Sequence, residues 1–222
     1  MKKVIIVSAH PDDETLGAGG TLLKHLEEGD ELYWLIVTAA DESLGFTADW
    51  IEKRNNEIIT VSNLFNFRRV FELNYQTMSL SSSSLIELIP EISEIFKEIE
   101  PEIVYTLNRS DAHSDHRYLA EAVLACTKSF RYPFIKKVLM YECISETEFA
   151  PPFLERVFIP NYFVDISDYL DKKIEIMKIF KSEIGSPPFP RSEENIRALA
   201  RFRGSTMNCQ FAEAFQVVKI LA

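Results

Sequence analysis

The chain has 222 residues, of which 46% are apolar and 12% are aromatic. This composition excludes a globally disordered protein and leaves enough apolar side chains for a sizeable core. The formal net charge of −10 disfavours binding to nucleic-acid phosphates and to anionic lipid surfaces, although a local pocket could still hold a small anion. We therefore expect no nucleic-acid partner.

Neither the cysteines nor the N-terminal residues point to secretion. Cys126, Cys143 and Cys209 are odd in number and widely spaced, which predicts buried thiols rather than disulfides or a thiolate metal site. The apolar run that follows Lys3 stops at His10 and is too short for a signal peptide or a membrane span. We expect a cytoplasmic protein with no membrane insertion.

Short apolar runs alternate with stretches of helical periodicity through the first two thirds of the chain. Strands are predicted over residues 4–7, 32–38, 70–73, 103–107 and 137–142. Helices are predicted over residues 15–28, 49–64, 82–99 and 118–128, with Pro90 inside the third, which predicts a kink or a later start there. The alternation predicts an α/β fold: a Rossmann-like, mostly parallel sheet with helices on both faces.

The C-terminal third is less regular. Asp168 is predicted to cap one helix, and Ser192 is predicted to begin another that ends by Gly204. Residues 212–221 are apolar, and their second half is predicted to form an edge strand. The apolar stretch over 157–166 is a candidate contact between the subunits of a homo-oligomer.

A metal-binding motif follows the first predicted strand. Ligands of open α/β sheets sit beyond the carboxyl ends of the strands, where His10 and Asp13 stand three residues apart and can reach one ion from a single turn. Asp12 points elsewhere and could hold a water molecule beside the metal. The alternative is an ordinary helix N-terminus, in which Asp12 and Glu14 serve capping and the helix dipole; capping does not require His10.

Glycines downstream of this motif raise a nucleotide-binding alternative. Gly17, Gly19 and Gly20 do not have the GxGxxG spacing, and the three acidic residues before them would repel a pyrophosphate. The glycines are better explained by close approach of the helix to the sheet or to the metal loop.

A second motif, over residues 111–116, follows the fourth predicted strand and lines the same expected crevice. His113 and His116 are three residues apart, with Asp115 between them in a position to orient a histidine ring. A Ser-His-Asp triad through Ser114 is rejected, because no nucleophile-elbow pattern surrounds it. Two histidines and one aspartate with an open fourth position are typical of catalytic zinc. The remaining histidine, His25, is expected to be structural or solvent-facing.

Together these residues resemble the PIG-L/LmbE-like family of metal-dependent N-deacetylases. The segments that carry the resemblance are Ala9-His10-Pro11-Asp12-Asp13-Glu14, Arg54-Asn55-Asn56-Glu57, His113-Ser114-Asp115-His116, Gly204 and Phe211-Ala212-Glu213-Ala214-Phe215. The resemblance spans most of the chain and is weakest between residues 143 and 200. This sequence departs from the family pattern at Ser114, where proline is usual, and at Phe211, where tyrosine is usual.

The resemblance implies one deacetylase domain over residues 1–222, with zinc or another divalent metal held by His10, Asp13 and His116. It implies Asp12 as the general base and His113 as the acid or oxyanion stabiliser. Other implied roles are support of His113 by Asp115 and substrate binding by Arg54 and Glu14.

The expected reaction is removal of the acetyl group from a small-molecule N-acetylglucosamine-type sugar or glycoconjugate. The alternatives are a zinc hydrolase of another amide or ester and a catalytically silent binding module on the same fold. Candidate contacts to the rest of the substrate are Phe46, Trp50, Phe149, Phe153, Phe189, Arg109 and Arg191.

Overall fold

The computed structural model of the protein describes residues 1–221. Its strands are β1 (Lys3–Ser8), β2 (Glu31–Ala39), β3 (Arg69–Gln76), β4 (Ile103–Leu107), β5 (Lys137–Tyr141), β6 (Tyr162–Asp165) and β7 (Ala212–Ile220). Its α-helices are α1 (Asp13–Glu27), α2 (Ala48–Leu64), α3 (Leu85–Ile99), α4 (Ser114–Ala125), α5 (Leu170–Met177) and α6 (Glu193–Thr206).

All seven strands form one sheet in the order β3-β2-β1-β4-β5-β7-β6. The first five are parallel, with Val4 of β1 level with Leu32 on one side and Ile103 on the other. Strand β7 runs antiparallel to both β5 and β6. The predicted α/β fold with a mostly parallel sheet is confirmed.

The core lies around the central strand β1. Its residues from Val4 to Val7 are fully buried, as expected of a parallel strand covered on both faces. Helix α5 packs against both α1 and α6, and α3 packs against α4. Among the described residues, none of the helices is long and apolar enough to cross a membrane.

Helix α1 lies unusually close to the sheet because glycines face it. A Cβ atom at Gly17 would stand 2.1 Å from the ring of Tyr141, and one at Gly20 would stand 2.7 Å from Ile166. The Tyr141 hydroxyl in turn donates a hydrogen bond to the Val7 carbonyl. Close approach of helix to sheet, the role expected for these glycines, is confirmed, and it fixes the start of α1 against the end of β1.

A buried carboxylate on β7 also anchors α1. Glu213 accepts hydrogen bonds from the backbone N–H groups of Gly20 and Thr21 at 2.9 and 2.7 Å. Its third partner is the ammonium of Lys173 at 2.7 Å, which also donates to the Leu16 carbonyl. Both charged side chains are almost fully buried, so neither can exchange its partner for water.

Replacing Glu213 with glutamine is therefore expected to destabilise the fold by about 3 kcal/mol, because the buried Lys173 charge loses its counter-ion. Chemical denaturation of the two proteins measures this difference. The matched control is Glu175→Gln, which breaks an exposed pair with Lys172 and should change the free energy of unfolding by less than about 1 kcal/mol. Equal effects of the two substitutions would contradict the anchoring role.

The C-terminal third differs from expectation in part. Strand β6 was not predicted, because its four residues are only half-buried. Residues 212–220 form β7 throughout: its first half lies between β5 and β6, whereas its second half pairs only with β5 among the described residues, as expected of an edge strand. Helix α5 has Tyr169 at its N-cap with no side-chain cap, so Asp168 does not cap it. Val157 and Ile159 are exposed, and oligomerisation through that segment stays a prediction.

The structure decides two details in the first half for which the sequence left alternatives open. His25 does not face solvent: it is buried between the Asp30 carboxylate at 2.8 Å and the Tyr105 hydroxyl at 2.9 Å, which makes it structural. Helix α3 begins at Leu85 and includes Pro90 in its second turn.

Candidate metal centre

The two sequence motifs meet at one edge of the sheet. Strands β1 and β4 are neighbours, and the chain leaves them in opposite directions across the sheet, which makes the gap beyond their carboxyl ends a topological switch point. His10 and Asp12 follow β1, whereas His113 follows β4 and caps α4. The ring centroids of His10 and His113 are 4.6 Å apart.

The loop after β1 is held in an unusual conformation at Asp12, whose φ is 137°. This value is rare for a residue with a side chain and is costly unless the surroundings enforce it. Here the Asp13 carboxylate accepts the His10 N–H at 2.8 Å, and the Glu14 carboxylate accepts the Asp12 N–H at 3.0 Å. The two acids after Asp12 thus fix the turn that presents it.

His10, Asp13 and His116 bring three ligand atoms within 4.8 Å of one another. The Asp13 Oδ1 atom is 3.4 Å from His116 Nε2, and Asp13 Oδ2 is 3.7 Å from His10 Nδ1. Both separations are long for hydrogen bonds, whereas atoms bound about 2.0 Å from a tetrahedral zinc ion lie about 3.3 Å apart. The donor set and its spacing therefore fit zinc.

A competing set, His10 with His113 and Asp115, fits a metal less well. The Asp115 carboxylate already accepts hydrogen bonds from the backbone N–H groups of Met78 and Leu80, at 2.7 and 3.0 Å. Its Oδ2 atom also contacts His10 Nε2 at 3.2 Å. These contacts occupy the carboxylate and orient the His10 ring.

Asp115 was expected to support His113 with its carboxylate. In the structure it contacts His113 through its backbone N–H instead. The Asp115 carboxylate is 3.9 Å from His113 Nδ1, beyond hydrogen-bonding distance. The backbone N–H of Asp115 donates to His113 Nδ1 at 3.1 Å. A neutral His113 consequently carries its proton on Nε2.

Asp111 orients His116, a role that the sequence did not assign to it. Its Oδ2 atom is 2.9 Å from His116 Nδ1, and its Oδ1 atom accepts from Asn108 and from Thr147. The pairing leaves His116 Nε2 directed to Asp13, the usual arrangement of a metal-bound histidine with a carboxylate behind it. The sequence feature that could have indicated this role is the position of Asp111, which lies between the end of β4 and His116.

The pKa values of the site diverge. Burial, with Asp13 and Glu183 nearby, raises the pKa of Asp12 well above its ordinary value. Burial also acts to raise the pKa of Asp13, but the neighbouring His116 and His10 outweigh it and lower that pKa. Adjacent carboxyl groups with opposite shifts are typical of a site that separates a base from a ligand.

Burial, together with the nearby His10 and His116, lowers the pKa of His113 to about 4. The surroundings thus favour a neutral ring at neutral pH. With Nδ1 occupied by the Asp115 N–H, the Nε2–H group of that neutral ring remains available as a hydrogen-bond donor.

Glu14 does not occupy the position that its predicted substrate-binding role requires. Its side chain is fully buried, accepts the Asp12 N–H and the Thr15 hydroxyl, and is absent from the pocket lining. Burial raises its pKa to about 7. Its contacts place it behind the loop that follows β1 and outside the cavity.

A cavity of about 410 Å³ opens over the metal centre, a size within the usual range for small-molecule sites. His10, Asp12, Asp13, His113 and His116 form its floor, and its walls include Phe46, Trp50, Arg54, Met78, Cys143 and Arg191. Arg109, Phe149, Phe153 and Phe189, which were candidate substrate contacts, lie outside its lining.

Comparisons with known proteins identify chains that are similar to this one. The diacetylchitobiose deacetylase of Thermococcus kodakarensis is 24% identical over 98% of this chain and 84% of its own length. The diacetylchitobiose deacetylase structure from Pyrococcus horikoshii superimposes with a TM-score of 0.77 and 22% identity over 98% of this chain and 84% of that one. The zinc-inhibited form of a teicoplanin deacetylase has a TM-score of 0.76 and 16% identity, covering 97% of each chain.

The two structural similarities concern the fold. The family itself is given by the sequence: the model described as PIG-L, GlcNAc-PI de-N-acetylase, matches residues 5–127, a range that contains both loops of the candidate metal centre. The chain belongs to the PIG-L family.

Proposed function

We propose that the protein is a metal-dependent N-deacetylase that releases acetate from an N-acetylglucosamine-type sugar. The observation that carries the proposal is the arrangement of Asp12 and His113 around the His10–Asp13–His116 group on the floor of one cavity. Family membership and the sugar deacetylases among its relatives support the same reaction.

The metal would be held by His10, Asp13 and His116, with His116 oriented by Asp111 and His10 by Asp115. Zinc, or another divalent metal, would supply Lewis-acid polarisation of the acetamide carbonyl and a lower pKa for a water molecule.

Asp12 would act as the general base. Its carboxyl lies on the cavity floor beside a ligand residue, and its raised pKa makes it a better proton acceptor than an ordinary aspartate once ionised. Removal of a proton from the attacking water leaves that proton on Asp12, from which it can reach the leaving nitrogen. The fixed backbone at Asp12 holds the carboxyl ready for this transfer.

His113 would stabilise the oxygen of the tetrahedral intermediate. Its Nδ1 atom is occupied by the Asp115 N–H, so the Nε2–H group is the one that can donate to the developing oxyanion. A neutral imidazole is sufficient for this role, because the donor only has to be positioned where negative charge develops.

The upper wall of the cavity suits a sugar ring. Phe46 and Trp50 contact each other with ring centroids 4.6 Å apart, and both line the cavity. An aromatic face of this kind stacks against the C–H face of a pyranose, while the polar groups on the cavity floor meet the acetamide.

The test is metal content together with acetate release from N-acetylglucosamine, N,N′-diacetylchitobiose, a non-sugar acetamide and an aryl acetate. We expect about one metal ion per chain and acetate from at least one sugar, lost on chelation and restored by zinc. Acetate from the non-sugar compounds alone would contradict the proposed substrate, and full activity after chelation would contradict the metal dependence.

A further inference from the structure

Arg54, the arginine that was expected to bind substrate, is held by protein atoms at both Nη groups, and its buried Nε atom has no hydrogen-bond partner among the described residues. Its Nη1 atom donates to the Pro11 carbonyl at 2.9 Å, and its Nη2 atom donates to the Ser182 hydroxyl at 2.8 Å and to the Glu183 carboxylate. Its Nε atom lies 3.3 Å from the Glu57 carboxylate. Only 8% of the side chain is exposed.

Arg191, the other arginine of the cavity wall, is held by the same acid. Its Nε atom donates to the Glu183 carbonyl at 2.8 Å, and its Nη2 atom donates to the Glu183 carboxylate at 3.0 Å. Its Nη1 atom donates to the Ser145 hydroxyl at 2.9 Å. Glu183 therefore bridges the two guanidinium groups, and together with Glu57 it balances the two positive charges that could otherwise attract an anion.

The remaining charges of the cavity wall are negative. Glu72 and Glu146 line it together with Glu183, so three carboxylates face the two guanidinium groups of Arg54 and Arg191. An incoming phosphate, sulfate or carboxylate would have to displace Glu183 or remain unpaired near like charges, and both are unfavourable.

We propose that this cavity selects uncharged N-acetylated sugars against sugars that carry an anionic group, and that Glu183 determines this specificity. The proposal rests on the proposed deacetylase function and narrows its substrate class. The bound sugar stacks on the Phe46–Trp50 wall without a counter-charge, and Glu183 keeps Arg54 and Arg191 from recruiting an anion.

The first experiment compares matched sugars on the metal-loaded protein: methyl N-acetylglucosaminide, N-acetylglucosamine 6-sulfate and N-acetylglucosamine 1-phosphate. We expect kcat/KM for the methyl glycoside to exceed that for each anionic sugar by about tenfold or more, the effect of one like charge at pocket distances. The ratio should shrink as ionic strength rises, because salt screens the repulsion. Equal or faster hydrolysis of an anionic sugar would overturn the proposal.

The second experiment assigns the effect to Glu183. Glu183→Gln keeps the shape of the side chain and frees one unit of guanidinium charge, so the preference for the methyl glycoside should fall by about tenfold while that sugar is still hydrolysed. The matched control is Glu94→Gln, which removes the same charge from an exposed pair with Lys97 on α3 and should leave the ratio unchanged.

A preference that survives Glu183→Gln in a folded, active variant would overturn the role of Glu183. If that variant does not fold, Glu72→Gln replaces it: it removes one carboxylate from the wall without touching either arginine and should also weaken the preference. If no sugar releases acetate, the deacetylase function fails on its own. Calorimetric binding of the same sugars then decides the charge preference, and tighter binding of the anionic sugars would overturn it.

Discussion

Replacing Asp12 with asparagine is expected to lower the rate of acetate release by about a thousandfold, the usual loss when a general base is removed. Asparagine keeps the size of the side chain and tolerates a positive φ, so the turn around residue 12 should survive. The three metal ligands are untouched. Metal content should therefore stay at the level of the unmodified protein, and initial-rate assays with elemental analysis measure both quantities.

The control for Asp12→Asn is Asp168→Asn, which makes the same chemical change at an exposed position in the connection between β6 and α5. That variant should retain full activity. An Asp12→Asn protein that keeps its metal and more than about a tenth of its activity would exclude Asp12 as the base, since even weak general-base catalysis contributes about a hundredfold.

Replacing His116 with alanine is expected to abolish both stoichiometric metal binding and activity, because it removes one of three protein ligands. Asp111→Asn offers a graded comparison. It keeps all three ligands. One of the groups that donate a hydrogen bond to the Asp111 carboxylate, which include Asn108 and Thr147, would then face an amide N–H and lose its acceptor. Loss of such support weakens metal affinity by about 10- to 100-fold.

Added zinc separates these two variants. Excess zinc should restore acetate release by Asp111→Asn, whose site is weakened, but not by His116→Ala, whose site lacks a ligand. Metal affinity is measured by competition with a chelator of known strength. Restoration of His116→Ala by zinc would instead favour the other cluster, His10 with His113 and Asp115.

The position of the site was predictable from the sequence because it depends only on which residues follow the carboxyl ends of the parallel strands. Two buried strands each end in a run of histidine and aspartate, and parallel strands present their carboxyl ends at one edge of the sheet. That logic places His10, Asp13 and His116 near one another without any knowledge of side-chain contacts. The fold class follows from the same alternation of strands and helices.

What the sequence could not give were contacts between distant segments. Arg54 was assigned to substrate binding through the family resemblance, but its Nη2 group donates to Glu183, which lies 129 residues further along the chain. Asp111 pairs with His116 across the turn that begins α4, a geometry that residue spacing alone leaves open. An edge position was expected for the second half of β7, but nothing in its apolar run indicates that its first half joins both β5 and β6.

The position of β7 also bears on the order in which the molecule assembles. Strand β6 is synthesised before β7, yet among the described residues it pairs with β7 alone, so it cannot join the sheet until β7 docks beside β5. Helix α1, nearly 200 residues upstream, also depends on the docking of β7, because Glu213 on β7 bonds its backbone and is the counter-ion of the buried Lys173. Such distant pairing is slow to form. An intermediate that lacks β7 would therefore expose an unpaired edge of β5 and would hold α1 only loosely. The turn around Asp12, at the start of α1, would then become rigid only in the last step of folding.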